Sequence, residues 1–381
     1  MGRGLRAIAI AVLAAACALA CNAILGITAV PLPEDGGGGG EGDAAADAGK
    51  APTDSAATCT AADTTSDTHN CGACGHDCLG GQCSNSACQP VALVAEDAGV
   101  SPWGLAQDGT YLYWTDLPNG TVNRTNKVDG GTTLMTTQTS GPHPIAVDDA
   151  GMYWGDYNGV WLCSKSTCSQ SVMPTQVANV SGPVLSVAVD NQSVYWTENS
   201  TQVLSANKYG NKENGSVIWQ GDASTNNVAT DGQRVYFTAV DGVLRAVGVD
   251  GGAGFQVGTP AAAPSEGVAL STGYVYWTLA DPSQGVVNTS STTSPSGTVL
   301  ASTQLGPYSV ASDGVNAYWA NLPNTSGNAQ IVECVVASCT PKVVAHGFHP
   351  NAIVVDDVAV YWTDSQNDAG VNGGSLWKLA K

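Results

Sequence analysis

From Val91 onward, apolar residues come in short runs divided by Asp, Asn, Gly, Ser and Thr, and the runs recur in a fixed order. The first run closes on Asp, as in Ile145-Ala146-Val147-Asp148 or Val187-Ala188-Val189-Asp190. A turn follows, plainest at Asp108-Gly109 and Asp313-Gly314, and such a dipeptide between apolar runs is a hairpin signal. The second run carries a Tyr five residues after the Asp; in the fifth copy Ser271 replaces the Asp. A third run (Val122-Asn123-Arg124, Val160-Trp161-Leu162, Val203-Leu204-Ser205) and usually a fourth (Val217-Ile218-Trp219, Val299-Leu300-Ala301, Val343-Val344-Ala345) complete the unit.

The Tyr is followed by Trp at Tyr113-Trp114, Tyr153-Trp154, Tyr195-Trp196, Tyr276-Trp277, Tyr318-Trp319 and Tyr361-Trp362, with Tyr236-Phe237 filling the fourth slot. Seven copies thus return at intervals of 40 to 43 residues. Four short strands in a period of this length make the blade of a β-propeller. A β-sandwich also uses short strands, but nothing in it requires equal spacing. The expected fold is all-β, a seven-bladed β-propeller of four-stranded blades spanning residues 91–381.

Blades are twisted sheets stacked face to face, so large side chains must fill the wedge between neighbours. Tyr and Trp supply that volume while keeping a polar tip, and every Trp of the chain falls in this region. Tyr113-Trp114-Thr115-Asp116 and Tyr361-Trp362-Thr363-Asp364 resemble the YWTD motif of low-density-lipoprotein-receptor-type propellers. The resemblance covers roughly residues 91 to 381; it implies the fold and says little about ligand. This chain departs from it at Glu198, Ala239, Leu279 and Asn321, which replace the Asp, and in blade number, since those receptor propellers have six.

After Ser375-Leu376-Trp377-Lys378-Leu379 the seventh unit has no fourth run, whereas Val91-Ala92-Leu93-Val94 stands unpaired before the first. The orphan is expected to cross over and complete blade seven, leaving no open edge.

Charged residues make up 12% of the chain and the formal charge is −19, which favours solubility and argues against nucleic acid or anionic headgroups as partners. Residues 1–21 have the form of an export signal: Arg3 and Arg6 precede an apolar stretch from Ala7 to Leu19, too short to span a bilayer. Ala18-Leu19-Ala20-Cys21 resembles a bacterial lipobox, which implies lipidation at Cys21 and an address in the bacterial cell envelope, anchored in the outer membrane. Cys17 is the competing site, but cleavage there leaves Cys21 as an odd thiol in an oxidising compartment. Residues 22–58, rich in Gly, Ala and Asp, read as a flexible linker with a span of roughly 30–36 Å.

Residues 59–90 hold six cysteines, Cys59, Cys71, Cys74, Cys78, Cys83 and Cys88. Zinc is one reading, with His69 and His76 beside Cys71-x-x-Cys74. A small disulfide module is the other and fits export better, because thirty residues cannot bury a core; six cysteines allow about 15 connectivities and sequence does not choose among them. The stretch is similar to the cysteine-rich segments of plant stigma-specific secreted proteins and of bacterial surface lipoproteins, a likeness that implies no chemistry. Cys163/Cys168 and Cys334/Cys339 share one spacing at the end of a third run and read as hairpin disulfides.

No P-loop, zinc-protease, nucleophile-elbow or EF-hand motif occurs. Counting ten residues back from each Tyr gives the position nearest the propeller axis: Trp103, His143, Leu185, Asn226, Glu266, Tyr308 and Asn351. Core filling would ask for uniform small apolar residues there, whereas aromatics beside amides and a carboxylate suit a sugar or polar peptide. Three residues after the Tyr, on the same face, stand Asp116, Asp156, Glu198 and Asp364, either as further ligands or as caps of turns. Their carboxylates admit a calcium ion, although no recognised calcium loop is present. The expected function is a lipid-anchored extracytoplasmic propeller that binds a glycan, peptide or protein at its axial mouth. A metal-dependent propeller lyase or lactonase and a purely structural envelope protein are the alternatives.

Overall fold

A computed structural model describes residues 59–60 and 63–381, apart from 138, 199, 211, 323–328, 348 and 366–372. The signal segment with Cys21 and the linker to residue 58 lie outside the described residues. The rest is all-β, in seven antiparallel blades ordered inner strand to outer strand. Blade 1 runs Pro102–Gln107, Tyr111–Asp116, Thr121–Asn126 and Thr132–Thr136. Blades 2 to 6 repeat the plan, with inner strands at Ile145–Val147, Val184–Val189, Thr225–Thr230, Ser265–Ser271 and Pro307–Ser312. Blade 7 takes Pro350–Val355, Ala359–Asp364 and Ser375–Ala380 and finishes with Val91–Val94, paired antiparallel to Ser375–Ala380. The orphan run closes the ring. Blade 2 departs from the four-strand plan: Glu213–Asn214 adds a short parallel strand to its outer edge.

The recurring dipeptide explains why blades cohere. Successive residues of a strand point to opposite faces, so Tyr and Trp of one blade enter two different interfaces. Tyr113 packs with Trp154 of the next blade, Tyr153 with Trp196, Tyr195 with Phe237 and Tyr236 with Trp277. Tyr276 packs with Trp319, Tyr318 with Trp362 and Tyr361 with Trp114, so each junction has its own apolar cluster. All seven Tyr are at most 2% exposed, and large rings of this kind dominate packing energy.

The Asp five residues before the Tyr shapes the turn between inner and second strands. Asp108 Oδ1 accepts from the amides of Thr110 and Tyr111, and its Oδ2 accepts from the Tyr113 hydroxyl at 2.8 Å. Asp190 and Asp356 do the same for their own turns and for Tyr195 and Tyr361.

Residues 59–90 pair as Cys59–Cys74, Cys71–Cys83 and Cys78–Cys88, around a two-residue hairpin of Cys83–Ser84 and Ala87–Cys88. Cys71, Cys78 and Cys88 are the one group of three potential metal ligands drawn together among the described residues, and all three are in disulfides. They join the apolar cluster of the blade 6–blade 7 junction, with Trp377 packed against it. Cys163–Cys168 and Cys334–Cys339 also pair. Cys163 and Cys334 are buried in interface clusters.

Candidate functional site

The mouth residues stand on a backbone irregularity that recurs around the ring. In six blades the ladder between inner and second strands slips at this point, so that in blade 1 Pro102 faces Asp116 while the next register pair is Leu105 with Trp114. A bulge of this kind frees a residue from the ladder and re-aims its side chain. In blade 2 His143 lies just ahead of the inner strand, its amide bonded to the Gly155 carbonyl.

In five blades a Thr two residues after the Tyr holds this region. Thr115 Oγ1 accepts from the Gly104 amide at 2.9 Å and donates to the His143 carbonyl of blade 2 at 2.8 Å. Thr238 bridges the Asn227 amide and the Glu266 carbonyl, Thr278 the Gly267 amide and the Tyr308 carbonyl, and Thr363 the Ala352 amide and the Trp103 carbonyl. Thr197 donates to the Asn226 carbonyl. Five of the seven mouth residues are therefore held at their carbonyl by the preceding blade; Gly155 and Ala320 occupy the Thr position in the other two. The approach is close. A Cβ on Gly104 would lie 2.3 Å from the His143 carbonyl oxygen, and one on Gly267 would lie 2.4 Å from that of Tyr308. This Thr is the functional position that reading for side-chain chemistry misses, although its recurrence two residues after the Tyr was a signal.

All seven mouth residues are half-buried. Trp103, His143, Leu185, Tyr308 and Asn351 line one axial cavity of about 150 Å³, while blades 4 and 5 present Asn227 and Gly267 to it. Trp103 and His143 meet with ring centroids 4.7 Å apart. Asn226 Nδ2 donates to the Ser265 carbonyl at 2.9 Å and reaches Glu266 Oε2 at 3.4 Å. Burial pushes the Glu266 carboxyl up to about 7. Burial also raises the Tyr308 hydroxyl, with the Glu266 charge adding to it, and lowers the His143 imidazole against a backbone hydrogen bond to Leu185. Two residues further along each inner strand the chemistry becomes uniform: Leu105, Ile145, Val187, Val228, Val268, Val310 and Ile353 form an aliphatic collar beneath the mouth. The cavity is thus a polar and aromatic rim on an apolar floor, the ordinary make-up of a small-molecule site.

The acidic set lies elsewhere. Asp116, Asp156, Glu198 and Asp364 are at most 3% exposed, and none lines the cavity. Asp116 accepts from the Ser101 amide and Asn119 Nδ2, and Asp156 from the amides of Ser140, Asn158 and Gly159 and from Trp161 Nε1. Glu198 accepts from the Ser181 amide, the Ser181 hydroxyl and Trp196 Nε1, and Asp364 from the His349 amide at 2.7 Å. Each ties the loop entering its blade to the end of the second strand. Carboxylates so occupied have little left for a calcium ion, which takes six to eight oxygens.

No protein-family model and no curated protein matches the chain. Among solved structures, streptogramin B lyase aligns with a TM-score of 0.62 at 11% identity, over 77% of this chain and 98% of that one. Hydrazine synthase of Kuenenia stuttgartiensis aligns at 0.58 and 14% identity, over 72% and 95%. The computationally designed Ika8 protein aligns at 0.52 and 11% identity, over 76% and 99%. At such identities the likeness is one of fold.

Proposed function

We propose that this protein is an extracytoplasmic binding module, anchored by lipid at Cys21 in the outer membrane of a bacterial cell envelope, that captures a glycan, peptide or protein at its axial mouth. One observation carries the reading: the variegated ring of Trp103, His143, Leu185, Asn226, Glu266, Tyr308 and Asn351 sits two residues above a uniform aliphatic collar in the same strands. A purely structural propeller has no use for such variety at the rim of a cavity that five of the seven, Trp103, His143, Leu185, Tyr308 and Asn351, line. The cavity's size suits a single sugar ring or one inserted side chain of a larger partner. His143 of blade 2 and Glu266 of blade 5 stand on opposing arcs rather than side by side, which favours binding over a metal-dependent lyase or lactonase.

Replacing both Trp103 and Tyr308 by Ala is expected to abolish capture on glycan and peptide arrays while thermal unfolding stays unchanged. Capture that survives the double substitution contradicts the mouth. For the address, Cys21→Ser should release the protein from membranes, and mass spectrometry should find a diacylated Cys21 at the mature N-terminus; an unmodified Cys21 contradicts the anchor.

A further inference from the structure

The collar beneath the mouth is aliphatic in its side chains, and these pack between blades: Leu105, Ile145, Val187 and Val310 each belong to a junction cluster. Its backbone points elsewhere. Bonded and non-bonded pairs alternate along an antiparallel ladder, and in blade 1 the turn pair is bonded, the Asp108 amide donating to the Tyr111 carbonyl. Leu105 and Trp114 stand three register steps beyond it, so theirs is a non-bonded pair. The Leu105 amide therefore turns away from the second strand. On that side the inner strand has no neighbour in its sheet, and the amide is left facing the axis. The same count applies to Ile145, Val187, Val228, Val310 and Ile353, and Val268 stands opposite Trp277 in the same register.

Two of these inward amides are satisfied by a serine of the preceding blade. That of Val228 donates to Ser186 Oγ at 3.1 Å and that of Ile353 to Ser309 Oγ at 3.2 Å. In blades 1, 2, 5 and 7 the serine position holds Gly104, Pro144, Gly267 and Ala352, which offer no side-chain acceptor. The approach is the same, since a Cβ on Gly104 would lie 3.2 Å from the Ile145 nitrogen and one on Gly267 3.2 Å from that of Val310. The cavity follows this division. Leu105, Ile145, Val187, Val268 and Val310, the five collar residues without a serine, line it, and Val228 and Ile353 do not. Above these amides the carbonyls of Trp103, His143 and Tyr308 are taken by the Thr bridges, so donors outweigh acceptors along those strands. Asn351 Nδ2, in the same lining, has no hydrogen-bond partner and adds another donor. No Asp, Glu, Lys or Arg lines the cavity. A concave surface of backbone N–H groups is an anion site, and a carboxylate that accepts several of them is held in its charged form.

From this we infer that the axial mouth seats an acidic sugar, a uronate, with its carboxylate on the amides of Leu105, Ile145 and Val187 and its ring against Trp103. The inference rests on the mouth reading above and narrows it. These three amides belong to adjacent blades, and the paired rings of Trp103 and His143 stand two residues above the first two. A cavity of about 150 Å³ is the size that elsewhere holds one benzene ring, which suits a single sugar ring whose flat face rests on an indole. The formal charge of −19 opposes an anion from a distance, but exposed charges are largely screened beyond about 8 Å at physiological ionic strength. Glu266 stands outside the lining, and its burial already disfavours the ionised form.

The test is calorimetric titration of the full chain with glucuronate and galacturonate, with their methyl esters, and with glucose and galactose. At least one free acid should bind about tenfold or more tightly than its ester and its neutral sugar, because hydrogen bonds to a charged acceptor are the stronger ones. Ala352→Ser sets a hydroxyl on the Leu105 amide as Ser186 does on that of Val228, and should weaken the acid by about tenfold while leaving the neutral sugars unchanged. Unchanged thermal unfolding of that variant shows the fold intact; should it fail to fold, the acid-against-ester comparison on the parent chain decides alone. Esters that bind as well as the acids, failure of both acids to bind, or undiminished affinity in a folded Ala352→Ser protein overturns the carboxylate. A short peptide with a free C-terminus that binds more tightly than either uronate, and loses that preference when amidated, overturns the sugar. The mouth reading is judged separately, by the array capture of the Trp103/Tyr308 double variant: capture of neutral glycans lost in that variant would uphold the mouth while this inference falls.

Discussion

The seven junctions between blades fall into two sets on the face away from the mouth. The residue just after each third strand donates its amide to the turn between inner and second strands of its own blade, so the seven positions are equivalent. In blades 1, 2, 3 and 7 that residue is Lys127, Lys165, Lys208 and Lys381, and each ammonium meets the turn Asp of the preceding blade: Asp356, Asp108, Asp148 and Asp313, at 2.6 to 2.9 Å. In blades 4, 5 and 6 it is Val249, Thr292 and Val336, which carry no charge. The Thr bridge at the mouth has nearly the opposite distribution. It is missing where blades 2 and 3 and blades 6 and 7 meet, where Gly155 and Ala320 stand, and both junctions carry a Lys. All three junctions without a Lys have their Thr, at Thr197, Thr238 and Thr278. Each junction is thus pinned at one face at least, and two are pinned at both: blade 7 to blade 1, where the chain passes from Val91–Val94 into the next inner strand, and blade 1 to blade 2. Each junction also has its Tyr–Trp or Tyr–Phe cluster, to which one or both kinds of pin are added. The three junctions without a Lys are those whose Thr holds Asn226, Glu266 and Tyr308, the polar arc of the mouth.

The doubly pinned closure is where the largest effect is expected. A chain starting at Gly99 lacks Val91–Val94 and leaves the Ser375–Ala380 edge unpaired, while one starting at Gln89 keeps the strand. Val94 is buried in the cluster of Tyr361 and Trp114, so losing the strand should cost several kcal/mol, on the order of 5. The shorter chain should melt at least about 10 °C below the longer one by differential scanning calorimetry. Equal melting of the two would mean that the pins, rather than the crossover strand, close the ring.

The next effect separates single from double pinning. Lys208 is nearly buried, its Nζ 2.6 Å from Asp148, at a junction with no Thr bridge. Lys165 is more exposed and has Thr115 behind it. Lys208→Met should cost about 3 kcal/mol, as removal of one member of a buried pair does, and Lys165→Met about 1. By the same logic Thr238→Val should cost more than Thr363→Val, which Lys127 backs. Urea midpoints measure all four. Equal costs within each pair would show that the two kinds of pin do not substitute for one another.

The comparison also separates what was legible in the chain from what was not. The repeat, seven blades, four strands and the crossover of Val91–Val94 could all be read, because alternation and spacing are local properties of the sequence. Five residues of the ring could be placed at the cavity because the register counts back from the Tyr, whereas in blades 4 and 5 the next residues, Asn227 and Gly267, line it. Asp116, Asp156, Glu198 and Asp364 could not be placed, since an acid after a strand looks the same whether it faces a ligand or accepts loop amides. The Lys pins were invisible for another reason. Lys208 and Asp148 lie 60 residues apart, and nothing in either repeat shows that the end of a third strand reaches the neighbouring blade's turn. Glu213–Asn214 escaped notice because a two-residue strand has no pattern.

The smallest effect concerns acid. Burial works to raise Asp108, but Lys165, the amides of Tyr111 and Thr110 and the Tyr113 hydroxyl together hold it well below the usual carboxylate range. Asp313 and Asp356 are lowered too, burial again opposing, with the amide of Asn316 and Lys381 for the first and Lys127 with the amide of Val358 for the second. A carboxylate whose folded pKa is depressed contributes stability that is complete above its unfolded value, near 4, and is lost as pH falls through the folded value. Stability measured by urea unfolding should therefore fall as pH is taken from about 5 toward 2. In Lys165→Met the Asp108 pKa should move back toward its unfolded value, so the fall should be shallower, by an amount of about 1 kcal/mol or less across that range. Val249→Lys offers the converse, since it places an ammonium where Asp190 already accepts from Tyr195. That variant should gain a few tenths of a kcal/mol at neutral pH and show a steeper acid fall than the parent. A Val249→Lys protein with unchanged pH dependence would mean that the turn of blade 3 lies out of reach, and that the arc without lysines differs in geometry as well as in charge.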